Sequence, residues 1–248
     1  MKEWFEDEEI WKAMEQMIFY ERRIAEGPAE AQAILKLTKK TGGKALDLCC
    51  GIGHHAIAFA KIGFDVTGVD LTAHYLEKAK KTAEKENVNI EWVHEDSRFF
   101  ARQDTYDLVL NLGESFGLSE KQSDDICMLA NIYKSLKKDG ALVMQVMGKE
   151  IMGKAFVQSN FDILPDGTMV GQRSAITDSW GCVRGYRILI NKAQGKVTEM
   201  NISHWLYSGH ELRMMLSQAG FPAVRIFGGW DGSEYGINSR WLIIVAQK

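Results

Sequence analysis

Basic residues are too few here to make a nucleic-acid footprint. Lys and Arg number 30 against 33 Asp and Glu, leaving a net charge of −3. A phosphate backbone demands a clustered cationic stripe instead. Long apolar runs are also missing, and crossing a bilayer takes about 20 apolar residues. The opening MKEWFEDEE is acidic and has no apolar signal core. These absences predict no nucleic acid, no membrane and a cytoplasmic location. Cysteine is scarce: Cys49, Cys50, Cys127 and Cys182 lack metal-site spacing. Cys49-Cys50 beside His54-His55 resembles a cluster, but adjacent cysteines point apart and the sequence offers no second ligand pair. No metal is therefore expected, and no disulfide in a reducing compartment. What is present is ordinary: 248 residues, 46% hydrophobic and 25% charged, enough for one α/β domain with an insertion.

The most informative stretch runs from Lys44 to Asp70. A short apolar run (Ala45, Leu46, Leu48) ends in the turn Gly51-Ile52-Gly53, and a helical pattern follows from Ala56 to Ile62. A second apolar run then stops at Asp70. Strand, turn, helix, strand opens a parallel α/β sheet. The glycines let backbone approach a ligand, and the new helix offers unpaired N–H groups there. A carboxylate at the end of the second strand can accept both hydroxyls of a ribose. The run from Gly51 to Ala56 also fits the dinucleotide pattern. Asp47, four residues before Gly51, decides between ligands. A pyrophosphate gains nothing from it, whereas a ligand carrying an ammonium and a sulfonium does.

Asp47, Gly51 and Gly53, followed by Asp70, resemble the cofactor motif of class I S-adenosylmethionine (SAM) methyltransferases. That motif usually reads D-x-G-x-G-x-G, and Cys49 stands at its first glycine. Cys49 is expected to keep a negative φ and to wall the site. The resemblance implies SAM as cofactor and methyl transfer to N or O of a small metabolite. An NAD(P)-dependent oxidoreductase and a non-catalytic SAM-binding module stay open as alternatives. The implied fold is α/β: a doubly wound, seven-stranded, mostly parallel sheet with an antiparallel last strand, plus an inserted antiparallel β meander. Between Phe227 and Trp241 the connection is too short for a crossover helix, which agrees with a closing hairpin and disagrees with a parallel dinucleotide-fold ending.

The expected organisation is a helical lid over 1–43, a core over 44–150 and 208–248, and a β substrate cover over 151–207. In the lid, one helix spans 8–26 and a second runs from Pro28 to about Lys40. Ser119-x-x-Gln122 and Ser208-x-x-Glu211 read as capping boxes. Residues 151–167 read as irregular, before three strand-like stretches at 168–177, 182–191 and 196–206. The meander's other possible use is a homodimer surface.

By resemblance, Tyr20 lies over the cofactor and Arg23 meets its methionine carboxylate. Asp70 and Leu71 face the ribose. Asp96 and the Ser97 N–H take the adenine, with Glu95 in place of Asp96 if the strand ends one residue earlier, and Asn111 with Leu112 border the reacting methyl. Asp107, Val109, Ser115, Phe116 and Gly117 match a run found in small-molecule methyltransferases. Asn111 is not followed by Pro-Pro-Tyr, the motif of adenine-N6 and glutamine methylation, and the Pro-Cys nucleophile of cytosine-C5 enzymes is lacking. Both favour a small-molecule substrate. Phe116, Trp205 and Trp230 are its expected contacts. Glu114, His204, Tyr207 and His210 are candidate bases, none of them assigned as catalytic.

Overall fold

The computed structural model describes residues 3–248. A single turn of 3-10 helix at Trp4–Glu6 leads into α1 (Glu8–Ile18), whose first turn is capped where Asp7 accepts the Glu9 N–H. α2 (Glu21–Thr38) follows directly. The helix break thus falls at Phe19-Tyr20, and Pro28 sits inside α2, not at its start. Phe19 leaves the helical region (φ −112°, ψ 56°), and its ring turns inward to meet Tyr75 edge-on at 5.1 Å. Pro28 costs α2 one internal hydrogen bond. Packing of the buried Ala31 and Ile34 into the core offsets that loss.

The core then alternates: β1 (Lys44–Leu48), α3 (His54–Lys61), β2 (Asp65–Asp70), α4 (Ala73–Lys85), β3 (Glu91–His94), β4 (Tyr106–Asn111), α5 (Gln122–Ser135) and β5 (Leu136–Val146). Next come α6 (Lys149–Ala155), β6 (Ser159–Ile163), β7 (Met169–Thr177), β8 (Cys182–Asn191) and β9 (Lys196–Trp205). α7 (Gly209–Gln218), β10 (Ala223–Phe227) and β11 (Leu242–Gln247) close the chain. The seven-stranded sheet has the order β10-β11-β5-β4-β1-β2-β3. β1 runs parallel to β2 and β4, while β11 is antiparallel to both β10 and β5. The expected hairpin ending is therefore present. The central strands are apolar without alternation because helices cover both faces. Ala31, Ile34 and Phe59 from α2 and α3 pack on one face, and Leu129, Ile132 and Leu212 from α5 and α7 on the other.

β6-β7-β8-β9 form a separate antiparallel sheet. α1 lies across it, with Met14 buried against Val170, Leu189 and Met200. The segment expected to be irregular holds α6 and β6, so this sheet has four strands instead of three. β6 escapes a periodicity reading because all five of its residues are exposed, Phe161 and Ile163 included. Ser208 and Glu211 form their capping box. Ser119 does not. α5 begins only at Gln122, and the Ser119 hydroxyl donates to Asp124 at 2.6 Å.

Candidate active site

The carboxyl ends of β1, β2, β3 and β4 meet the N-terminal segment and the second sheet around a cavity of about 290 Å³. Its floor is the turn after β1. Cys50 N–H donates to Val69 O at 3.0 Å, and Gly53 N–H to Cys50 O at 2.9 Å. Gly51 and Gly53 have φ of 55° and 77°. Both are needed for packing as well: a Cβ at either would come within 2.5 Å of a ring carbon, of Phe19 or of Trp92 respectively. Cys49 walls the cavity but has φ 59°, not the negative φ expected of it. The chain must turn sharply out of β1 there, and a non-glycine residue in that region bears strain of about 1–2 kcal/mol. The Cys49 thiol contacts Ser97 Oγ at 3.2 Å, and burial with Asp70 beside it pushes its pKa up to about 12.

Asp70 is buried and uses both oxygens. Oδ2 accepts the Gly51 N–H at 2.7 Å and Oδ1 the Thr72 N–H at 2.8 Å. Burial raises its pKa, and those two N–H groups oppose the rise. Asp47 is buried too, and its Oδ2 has no hydrogen-bond partner among the described residues. Burial pushes its carboxyl up to about 6, against the pull of His55 and the Ala56 N–H. Arg23 reaches in from α2; its Nη2 lies 2.8 Å from where a Cβ on Gly113 would stand, and its Nε is unpartnered among the described residues. His54 lines the cavity with both ring nitrogens unpartnered. Burial, then His55 and Arg23, lower its pKa to about 2, so the ring is neutral. Behind it, His55 Nε2 donates to Glu30 at 2.6 Å.

After β3, Asp96 and Ser97 both line the cavity. Asp96 is engaged by Arg98, which also meets Glu6 and Asp124 at 2.9 and 3.2 Å. After β4, Leu112, Gly113 and Glu114 line it, held to β5 where Gly113 N–H donates to the Gln145 side chain at 3.2 Å. The roof comes from Phe5, Trp11, Met14 and Ile18 and from two residues of the second sheet, Arg187 and His204. His204 Nε2–H donates to Phe116 O at 2.8 Å, which leaves Nδ1 as the ring's proton acceptor.

Residues 45–140 match a family described as the methyltransferase domain. A glycine/sarcosine N-methyltransferase of Aphanothece halophytica is 32% identical over 145 residues, 57% of this chain and 50% of that protein. The chain therefore spans about half the length of that relative. A SAM-dependent methyltransferase from Clostridium acetobutylicum ATCC 824 superposes with TM-score 0.78 at 11% identity, over 96% of each chain. SAM-bound CalS10, an amino pentose methyltransferase from Micromonospora echinaspora, does so with TM-score 0.66 at 18% identity, over 97% of this chain and 95% of that one. Its fold is that of the class I SAM-dependent methyltransferases.

The cavity's chemistry fits SAM. An unpartnered guanidinium (Arg23) matches a carboxylate, and an unpartnered buried carboxylate oxygen (Asp47) matches an ammonium. Several expected contacts lie elsewhere. Tyr20 is 44% exposed and outside the cavity, because the chain turns Phe19 inward in its place. Asn111 is fully buried, its Nδ2 donating to Leu48 O at 3.4 Å, and only its neighbour Leu112 reaches the cavity. Phe116 is buried in the core, 5.5 Å from the Tyr207 ring, and Trp205 packs against that same core. Trp230 sits across the sheet, donating to Glu30 at 2.9 Å. Apolar rings at loop ends followed the core here, not the cavity. Among the base candidates, Glu114 and His204 line the cavity, Tyr207 donates to Asp125 at 2.6 Å, and His210 is exposed. Phe19, Arg98 and Arg187 go unnoticed in the sequence, where His54 is weighed only as a metal ligand. For Arg187 a signal existed: it interrupts the alternation Val183, Gly185, Leu189 along one strand face.

Proposed function

We propose that this chain transfers a methyl group from SAM to a nitrogen or oxygen of a small metabolite inside this cavity. The observation that carries the reading is the roof: α1 and the second sheet lie over the cavity above the glycine turn. In this reading residues 1–43 serve as lid and 151–207 as substrate cover. Nitrogen acceptors among relatives, such as glycine and sarcosine, support the small-molecule part.

Arg23 holds the methionine carboxylate, Asp47 the ammonium, Asp70 and Leu71 the ribose, and Asp96 with Ser97 the adenine. Bound SAM supplies a methyl on a sulfonium, whose loss leaves a neutral thioether. The protein's own task is then to hold the acceptor in line and keep water out. Glu114 and the Nδ1 of His204 are the proton acceptors offered to an amine or hydroxyl. Among the described residues no helix is long and apolar enough to cross a membrane. Incubation with methyl-labelled SAM and a cell extract, read by mass spectrometry, tests the proposal. A labelled small metabolite is expected. Label found only on protein or nucleic acid, or no label despite cofactor binding, would refute it.

A further inference from the structure

The roof carries a cation that the protein leaves uncompensated. Arg187 on β8 pairs in register with Gln172 of β7 and Met200 of β9, on the inner face shared with His204. Its Nε and Nη2 donate to Gln172 Oε1 at 3.1 and 2.6 Å, and its Nη1 contacts the Met14 sulfur at 3.1 Å. Gln172 is fixed in turn by its own donation to the buried Ser174 hydroxyl at 3.1 Å. A neutral amide therefore orients the guanidinium without offsetting its charge. Arg98, in the lining of the same cavity, has three carboxylates. For Arg187, burial lowers the pKa with no neighbouring acid among the described residues to raise it. A guanidinium does not shed its proton in a protein, so the charge persists.

Of its five N–H groups, these contacts use three. One each on Nη1 and Nη2 is left for a carboxylate to accept. We propose that Arg187 binds a carboxylate on the methyl acceptor. This rests on the reading of the cavity as a SAM and acceptor site, in which Arg23 already serves the methionine carboxylate. A single guanidinium with only these N–H groups free suits a monoanion better than a phosphate dianion, which calls on more donors.

The test uses full-length protein loaded with S-adenosylhomocysteine and labelled with ¹⁵N-arginine, titrated with acetate and separately with phosphate. The Arg187 Nε–Hε resonance, identified by its loss in Arg187→Gln, is expected to move with acetate. Acetate affinity should fall about tenfold or more in Arg187→Gln. Arg187→Lys, which keeps the charge and loses the fork, should fall between. S-adenosylhomocysteine affinity should stay within about twofold in both variants. Failure of the unmutated protein to bind S-adenosylhomocysteine removes the underlying reading, and the proposal with it. With that binding intact, an unmoved resonance, undiminished acetate binding in Arg187→Gln, or phosphate binding tighter than acetate overturns the proposal alone.

Discussion

At the floor of the cavity Asp70 commits both carboxylate oxygens to backbone N–H groups, whereas at the roof Arg187 is steadied by one neutral amide and keeps its charge. The floor is organised through backbone: a left-handed turn, two glycines whose missing Cβ atoms make room for Phe19 and Trp92, and a carboxylate that ties the turn to β2. The roof is organised through side chains on a sheet that α1 fastens down. A backbone-built floor suits a cofactor common to a whole family. Charge left on exchangeable side chains suits an acceptor that differs from one member to the next.

The sharpest way to break this contrast is to cut the floor. Asp70→Ala removes two charge-assisted bonds, each worth about 1.5–3 kcal/mol, so stability in denaturant titrations should fall by roughly 3–6 kcal/mol. SAM binding should disappear with it. Unchanged stability would mean that Asp70 does not organise the turn. A smaller effect is expected for Arg23→Met: SAM affinity should drop about ten- to hundredfold, from the loss of one charge-assisted contact. Binding of methylthioadenosine, which lacks the amino-acid end, should not change. Equal losses for both ligands would place Arg23 elsewhere.

Asp47 allows a pH test with a definite sign. Its folded pKa of about 6 lies above the usual carboxylate value of about 3.9, so the folded apo protein holds this proton more tightly than the unfolded chain. This group's contribution to apo stability therefore declines as pH rises from about 4 to 6, by at most about 1.4 kcal/mol per unit. An ammonium favours the ionised form. SAM affinity should thus climb, at most about tenfold per unit, up to pH 6 and then level off. Asp47→Asn should flatten the profile, and a profile that keeps its slope in that variant would contradict the placement. The smallest expected effect is at Cys49. Cys49→Gly relieves left-handed strain of about 1–2 kcal/mol and adds unfolded-state entropy worth about 0.5–1, a net gain of up to about 1.5 kcal/mol. A clear loss of stability would show that the contact with Ser97 outweighs the strain.

The same contrast explains what could be read from sequence. Asp47, Gly51, Gly53 and Asp70 are close along the chain and obey local turn and strand rules, so the floor, the mostly parallel sheet and the closing hairpin were legible. The φ of Cys49 was not, since it depends on where the chain must go after β1. Phe116, Trp205 and Trp230 are expected near the mouth, but packing draws each of them elsewhere. Arg187 breaks an apolar alternation in the sequence, but that does not say whether its face of the sheet meets the cavity. Which face of the second sheet looks inward is decided by the N-terminal segment, 199 residues upstream in the contact between Trp4 and Ser203 and 173 in that between Met14 and Arg187.

The most direct measurement is calorimetric titration of the purified protein with SAM, S-adenosylhomocysteine and a reduced nicotinamide dinucleotide. A carboxylate-bracketed turn predicts micromolar binding of the two adenosyl ligands and no heat from the dinucleotide. Binding of the dinucleotide, with neither adenosyl ligand taken up, would contradict the account.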